Sequence, residues 1–158
     1  MDVRTLKSSP ARSVRLESEP GAGDDARRVV KRFAGSGLFA ATRDAARARR
    51  EHELLSELHA RGLPVPRPFS LERRDDGWEV AMQWIPRARS LAELLHAGET
   101  RDLPARALGE LLARLQSAGV DHPDLHPGNV LIDDTGGVWA IDFHKARRVA
   151  RLSAARLE

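Results

Sequence analysis

Apolar residues change their period along the chain, and each change marks an element. In "SVRLES" (13–18) and "ARRVVKRF" (26–33) they follow the pattern of half-buried strands. The intervening "EPGAGDD" is rich in Pro, Gly and Asp, so the two strands are expected to close a hairpin. After a Gly-containing loop the period lengthens. "ATRDAARARREHELLSELHARG" (41–62) predicts a helix with Glu51, Leu54, Leu55 and Leu58 on one face, Glu53 beside Arg50 and Glu57 on the polar side, and Gly62 as its C-cap. "LPVPRP" (63–68) cannot continue that helix, because proline lacks a backbone donor and restricts the residue before it.

"FSLERRDDGWEVAMQWI" (69–85) predicts two strands around Asp75-Asp76-Gly77. Beyond Pro86, Ser90 and Glu93 form a capping-box pattern that starts a short helix. "PARALGELLARLQSAG" (104–119) predicts a longer one, with Leu108, Leu111, Leu112 and Leu115 on one face. "VLID" and "VWAIDF" around "DTGG" predict a β-hairpin over 130–143 with a four-residue turn at 134–137. Strands, helix, strands, helices and a closing hairpin indicate an α+β fold in two lobes, not an alternating parallel sheet: residues 1–85 form a sheet with one helix, and residues 86–158 are mainly helical.

A chain of 158 residues with 41% hydrophobic positions suits one compact domain or two small lobes sharing an interface. No apolar run nears the roughly 18 residues needed to span a bilayer, and "MDVRTLKSSPARS" lacks the apolar core of a signal peptide, so a cytoplasmic location is expected. Cysteine is absent, which excludes disulfides and thiolate metal sites and leaves oxygen or imidazole ligands for any metal. Charge is uneven. Arg27 to Arg50 holds eight Lys or Arg against Asp44 alone, and a second basic cluster, "KARRVARLSAAR", closes the chain. Such patches suit an anionic partner, a nucleotide or an acidic lipid head group, as well as plain solvated helix faces. Nucleic acid is not expected, because 4% aromatic residues and no tyrosine leave little on which bases could stack.

The densest chemistry lies in "HPDLHPGNVLID" (122–133). In the expected hairpin, pairing Asp133 with Val138 sets Asn129 opposite Asp142, thirteen residues away. Hard-oxygen ligands so placed suit Mg²⁺ bound to phosphates. Asp124, five residues before Asn129, is then the acid close enough to orient an attacking hydroxyl. Three other readings stand beside this one, a carboxylate triad for hydrolysis being the most remote. His122, Asp124 and His126 alternate, which would share one face of an extended segment and fit a transition metal. A purely structural loop would have His122 packed beneath it, Asp124 capping a turn and Asn129 bonding backbone, and for His122 alone packing is the preferred role.

H-x-D-L-x-x-x-x-N, followed thirteen residues after Asn129 by Asp-Phe, resembles the catalytic and metal-binding loops of the protein-kinase-like superfamily. Lys31, one of only three lysines, lies in the strand "VVKRF" twenty residues before Glu51, as the phosphate-pairing lysine and its helix glutamate do in that superfamily. Within it, "LHARGLPVPRP", "RSLAELL" and "VWAIDFHKAR" look like the bacterial lipopolysaccharide kinase family that phosphorylates 3-deoxy-D-manno-octulosonic acid (Kdo), with similarity from about Arg12 to Arg148. The resemblance implies a protein-kinase-like fold with a small antiparallel-sheet N-lobe and a reduced, mainly helical C-lobe. It also implies ATP, Mg²⁺ and a sugar hydroxyl on an anionic glycolipid, met peripherally at the cytoplasmic face of the inner membrane by the basic patches. Carried onto this chain, Asp124 would be the catalytic base or the residue positioning the hydroxyl. Asn129 and Asp142 would hold Mg²⁺, Lys31 would contact the α/β-phosphates under the orientation of Glu51, and Met82, Gln83 and Trp84 would line the adenine site and offer backbone hydrogen bonds.

The chain departs from the pattern in three places. No G-x-G-x-x-G loop is present, and "KSSPAR" (7–12) occupies its position, so phosphate coverage is expected from backbone amides and Ser8 or Ser9. His144 follows Asp142-Phe143 where protein kinases have glycine and the lipopolysaccharide kinases more often aspartate, and Pro123 replaces the usual arginine before Asp124. The sequence stops about sixteen residues after Asp142, inside an expected helix "RRVARLSAARLE" (147–158), so the second lobe is expected to be unusually small or truncated. The 122–133 motif is similar also to aminoglycoside and small-molecule phosphotransferases, which makes a soluble sugar or aminoglycoside the second reading. A nucleotide-binding pseudokinase is the third, suggested by the missing glycine loop and opposed by the intact Lys31, Glu51, Asp124, Asn129 and Asp142.

Overall fold

The strand-like stretches of the first half come together in one five-stranded antiparallel sheet. In the computed structural model, which describes residues 2–9, 12–18, 23, 26–37 and 39–149, its strands are β1 (Asp2–Ser9), β2 (Arg12–Ser18), β3 (Arg28–Phe33), β4 (Pro68–Arg74) and β5 (Gly77–Gln83), in the order β1-β2-β3-β5-β4. The expected pairing of β2 with β3 is present, though the "EPGAGDD" turn lies almost wholly outside the described residues. Strand β1 was not expected. All of its residues are exposed, so no buried alternation announces it. Its pairing of Ser9 with Arg12 makes "KSSPAR" the β1–β2 turn, with the tip residues 10 and 11 outside the described set. Lys31 and Phe33 share one face of β3 by the period of two, and both are buried.

Helix α1 (Ala40–Ala60) lies on the sheet through Ala40, Asp44, Ala48, Glu51, Leu54, Leu55 and Leu58, a stripe at helical spacing. Its end is set by Gly62 at φ +70°, which lets Leu63 N–H reach Leu58 O at 2.9 Å and Gly62 N–H reach His59 O at 2.8 Å, a Schellman closure. Buried Asp44 accepts the Gly35 N–H at 2.6 Å and so ties the β3–α1 loop to the first turns of the helix. The connector after α1 is stitched to the far part of the chain, since Ala140 N–H donates to Pro64 O at 3.0 Å.

Beyond Pro86 come β6 (Arg89–Ser90), α2 (Leu91–His96), α3 (Ala105–Ser117), β7 (Val120–Asp121), β8 (Val130–Ile132), β9 (Val138–Ala140) and β10 (Arg147–Arg148). Both sides of the expected capping box are made, Glu93 N–H to Ser90 Oγ at 3.2 Å and Ser90 N–H to Glu93 Oε2 at 2.7 Å. Three expectations are corrected. Leu112 of α3 is 52% exposed while Leu111 and Leu115 enter the core, so the apolar face is narrower than the sequence pattern. Arg147 and Arg148 pair with Asp121 and Val120 in a strand, not a helix, and residues 150–158 of the expected helix lie outside the described set. The hairpin register is shifted by one: Ile132 pairs with Val138, and Asp133 N–H donates to Gly137 O at 3.0 Å. Gly136, at φ +81°, closes the turn in three residues instead of four. Asn129 consequently lies opposite Ile141, whose N–H donates to Asn129 O at 3.0 Å, and not opposite Asp142.

One apolar core joins the two halves, with Phe33, Val80, Leu55 and Leu58 meeting Leu111, Val130, Ala140 and Phe143. The architecture is mixed α and β, a five-stranded antiparallel sheet with few helices. Among the described residues, no helix is long and apolar enough to cross a membrane.

Candidate active site

Three ionised side chains from distant parts of the sequence meet where β3, α1 and the segment after β9 converge. Lys31 Nζ donates to Glu51 Oε1 at 2.6 Å and to Asp142 Oδ1 at 2.7 Å. Lys31 is 6% exposed and Glu51 is fully enclosed. Burial alone would lower the lysine pKa, but the carboxylates of Glu51 and Asp142 more than offset it and hold the ammonium above its ordinary value. At Asp142 burial acts to raise the pKa. The hydrogen bond from His144 and the charge of Lys31 prevail, keeping the carboxyl well below the usual carboxylate range. Asp142 adopts a left-handed backbone, φ 67° and ψ 60°, an uncommon conformation that aspartate tolerates better than most residues.

The loop between β7 and β8 presents the second group. Its backbone is tied by Leu125 N–H to His122 O at 3.0 Å and by Asn129 N–H to His126 O at 2.8 Å. Asn129, nearly buried, donates its amide Nδ2 to the Asp124 carbonyl at 2.8 Å, an orientation that leaves the carboxamide oxygen as an acceptor. The Asp124 carboxylate reaches outward and accepts from Lys145 Nζ at 3.0 Å, a contact that lowers its pKa. It is therefore ionised at neutral pH. His122 packs edge-on against Phe143, ring centroids 4.8 Å apart, and its Nε2–H donates to Ile141 O at 3.2 Å. Burial pushes its pKa down and keeps the imidazole neutral. His126 instead accepts from Gly128 N–H through Nδ1 at 3.1 Å. His122 Nδ1 is buried without a hydrogen-bond partner, but among the described residues the two histidines do not converge with Asp124 as a set of metal ligands, which removes the transition-metal reading of this loop.

Among the described residues, all polar contacts of Asp142 fall on Oδ1. Its Oδ2 and the Asn129 oxygen are the hard donors left for a divalent cation, the ligand type that Mg²⁺ takes beside phosphates. Glu51, Asp142 and His144 also offer three atoms within 4.8 Å of one another, but the Lys31 ammonium already bonds two of these residues and supplies the cation there. Met82 is buried in β5, whereas Gln83 and Trp84 line a surface groove with His59, Arg67 and Phe69. Gln83 N–H donates to Arg67 O at 2.8 Å, so that amide is already used.

Arg12, His144 and Lys145 reach the site without having been assigned a role in it from sequence, where His144 stood only as a departure from the pattern. Arg12 Nη1 lies 2.8 Å from His144 Nε2 and 3.8 Å from Asp142 Oδ1, and His144 Nδ1 is hydrogen-bonded to Asp142 Oδ1. Lys145 carried the same signal as Lys31, being one of three lysines in an arginine-rich chain.

Comparison with known proteins places this geometry. The lipopolysaccharide kinase (Kdo/WaaP) family model matches residues 27–157. A 3-deoxy-D-manno-octulosonic acid kinase of Xanthomonas oryzae pv. oryzae (strain PXO99A) is 43% identical over 111 residues, 67% of this chain and 43% of that protein. The enzyme of the same name from Vibrio parahaemolyticus serotype O3:K6 is 35% identical over 106 residues, 65% of this chain and 44% of that protein. The chain thus spans less than half the length of these relatives. A crystal structure of WbdD superposes with a TM-score of 0.69 at 25% identity, over 99% of this chain and 35% of that one. A second structure, of WbdD described as a bifunctional kinase-methyltransferase, gives 0.70 at 22% identity over 93% and 32%. The fold is protein-kinase-like, and the match over most of its length shows that the chain belongs to the lipopolysaccharide kinase (Kdo/WaaP) family.

Proposed function

We propose that this chain binds Mg-ATP and transfers its γ-phosphoryl group to a hydroxyl of Kdo on an anionic glycolipid; its Xanthomonas and Vibrio relatives are named 3-deoxy-D-manno-octulosonic acid kinases. The observation that carries the reading is the Lys31 ammonium shared between Glu51 and Asp142, an arrangement that phosphoryl transfer uses to grip phosphates and position a metal. In this reading residues 1–85 are the nucleotide-binding lobe and residues 86–158 carry the catalytic loop. Asn129 and Asp142 would hold Mg²⁺, which supplies charge compensation for the phosphate oxygens. Met82 and the backbone of Gln83 and Trp84 beyond the Gln83 amide would border the base.

The acceptor oxygen forms a bond to the γ-phosphorus as the bridging bond to the β-phosphate breaks, and ADP leaves. Asp124 accepts a hydrogen bond from the acceptor hydroxyl. Because Lys145 holds its pKa down, Asp124 is ionised before the reaction and acts first by orienting the hydroxyl, receiving the proton late. A Kdo-bearing membrane acceptor would bring the exposed arginines near anionic lipid, a peripheral contact that fits the chain's charge of +3.

The test is transfer of labelled γ-phosphate from Mg-ATP to a Kdo-bearing lipid A precursor, beside a panel of soluble sugars and aminoglycosides. Labelling of the lipid that Asp124→Ala abolishes is the expected result. Labelling confined to a soluble sugar would replace the acceptor, and absence of transfer despite ATP binding would replace the enzyme with a nucleotide-binding regulator.

A further inference from the structure

The β1–β2 turn has the position of a phosphate-covering loop without glycines to bring its backbone close, and the group it sends toward the site is a side chain. Arg12 opens β2, paired with Ser9 on one side and Phe33 on the other, so its Cα is fixed at the base of the turn in both ladders. From there its Nη1 reaches His144 Nε2 at 2.8 Å and Nδ1 at 3.0 Å, and Asp142 Oδ1 at 3.8 Å. One tautomer of His144 serves both neighbours, with Nδ1–H donating to Asp142 and Nε2 accepting from Arg12. His144 is 2% exposed and lies beside Phe33, so it is a fixed post. The Arg12 side chain is 32% exposed and open to a ligand.

Charge and donor capacity both point the same way. The cluster holds two carboxylates, Glu51 and Asp142, and two cations, Lys31 and Arg12. Without Arg12 a polyphosphate would meet two acidic side chains and one ammonium, and Arg12 adds a second cation beside them. A guanidinium has five N–H donors in a planar fork suited to phosphate oxygens, and only Nη1 is engaged by His144.

We infer that Arg12 is the phosphate clamp of this site, binding β- and γ-phosphate oxygens of the nucleotide in place of a glycine-rich loop, with His144 as the residue that aims it. The inference rests on the nucleotide-binding reading above. It makes Arg12 responsible for preferring a triphosphate over a monophosphate, and it gives His144 a reason to stand after Asp142-Phe143.

The experiment is calorimetric titration of the full chain with Mg-ATP and with AMP, for the wild type, Arg12→Gln, Arg12→Lys and the remote surface control Arg106→Gln. Arg12→Gln is expected to weaken Mg-ATP binding roughly ten- to a hundredfold, the loss of one or two charge-assisted hydrogen bonds, while AMP binding is unchanged. Arg12→Lys is expected to fall between, and Arg106→Gln to match the wild type. Equal losses for ATP and AMP, or unchanged ATP affinity in Arg12→Gln, would overturn the clamp and leave Arg12 as a strut for the turn. If Arg12→Gln fails to fold, the ratio of ATP to AMP affinity in Arg12→Lys decides, and a ratio equal to that of the wild type overturns it. A wild type that binds no Mg-ATP removes the nucleotide reading and the clamp together, an outcome distinct from the others.

Discussion

The two halves of the candidate site are built in opposite ways. Lys31, Glu51 and Asp142 come from three elements and hold one another by side-chain contacts inside the core. The 122–129 loop is held mostly by local bonds, Asn129 to the Asp124 carbonyl and Gly128 to His126, with His122 reaching out of the loop to Ile141. In the first region the groups that would bind phosphates also bear the fold. In the second, the Asp124 carboxylate is held by its backbone and touches only Lys145 among the described side chains. Stability and activity should therefore respond together to changes in the cluster and separately in the loop.

The strongest way to break this contrast is to remove the cluster's cation. Lys31→Met leaves the enclosed Glu51 carboxyl without its cation, with Oε2 already lacking a hydrogen-bond partner and Oε1 losing its own. Unpairing a buried charge costs about 3–5 kcal/mol, so urea denaturation should show a loss of that size alongside loss of phosphoryl transfer. Adding Glu51→Leu should restore most of the stability and none of the activity. A single variant as stable as the wild type would mean the pair does not bear the fold.

Asp124→Ala probes the other side. Transfer should fall by at least roughly 10²-fold, the usual contribution of a positioned acid or base. The urea midpoint should barely move, because nothing else in the fold leans on that carboxylate. A fall in stability comparable to that of Lys31→Met would erase the distinction between the regions.

Acidity sharpens it further. The carboxyl of Asp142 is depressed in the folded protein, so its stabilisation is present above the ordinary aspartate pKa of about 3.9 and is lost as pH falls toward the folded value. Lys31 is raised, so its share is complete below about 10.4 and is lost only as pH rises through the folded value. The cluster therefore stabilises most between about pH 4 and 10. Asp142→Asn, which still suits a left-handed backbone, should flatten the acid limb of stability measured from about pH 6 down to 3, with Asp124→Asn having the smaller effect. An acid limb unchanged by Asp142→Asn would contradict this assignment.

What could be read from sequence follows the same division. Asp124, Asn129 and Asp142 were legible because a loop encodes its groups at fixed local spacings, and Lys31 and Glu51 because each sits on a periodic buried face. Arg12 and His144 were not, since their contact spans 132 positions and no periodicity relates a strand's first residue to a turn so far away. Strand β1 escaped because it buries nothing, and β7 and β10 because two residues carry no period. Leu112 was misassigned because helical spacing gives a stripe's direction and not the width that its neighbours cover.

The hairpin register is the finest of these differences. "DTGG" has two glycines, and counting both as turn put Asn129 against Asp142. In the fold only Gly136 takes the left-handed conformation. Gly137 instead accepts from Asp133 N–H at 3.0 Å just before the strand, its own N–H donating to Asp133 Oδ1 at 2.8 Å, while Trp139 Nε1 bonds Asp133 Oδ2 at 2.8 Å. Asp133 thus selects the three-residue turn, which puts the Asn129 carbonyl on Ile141 and frees Asp142 to leave the strand and meet Lys31. Gly136→Ala, with no neighbour near its added methyl, should cost only the backbone strain of about 1 kcal/mol and leave transfer kinetics unchanged. Trp139→Phe, which removes one anchor of Asp133, should cost a similar amount by urea denaturation. If either variant lowered transfer as much as it lowered stability, the turn itself, and not the contacts around Asp142, would be what positions Asn129 and Asp142.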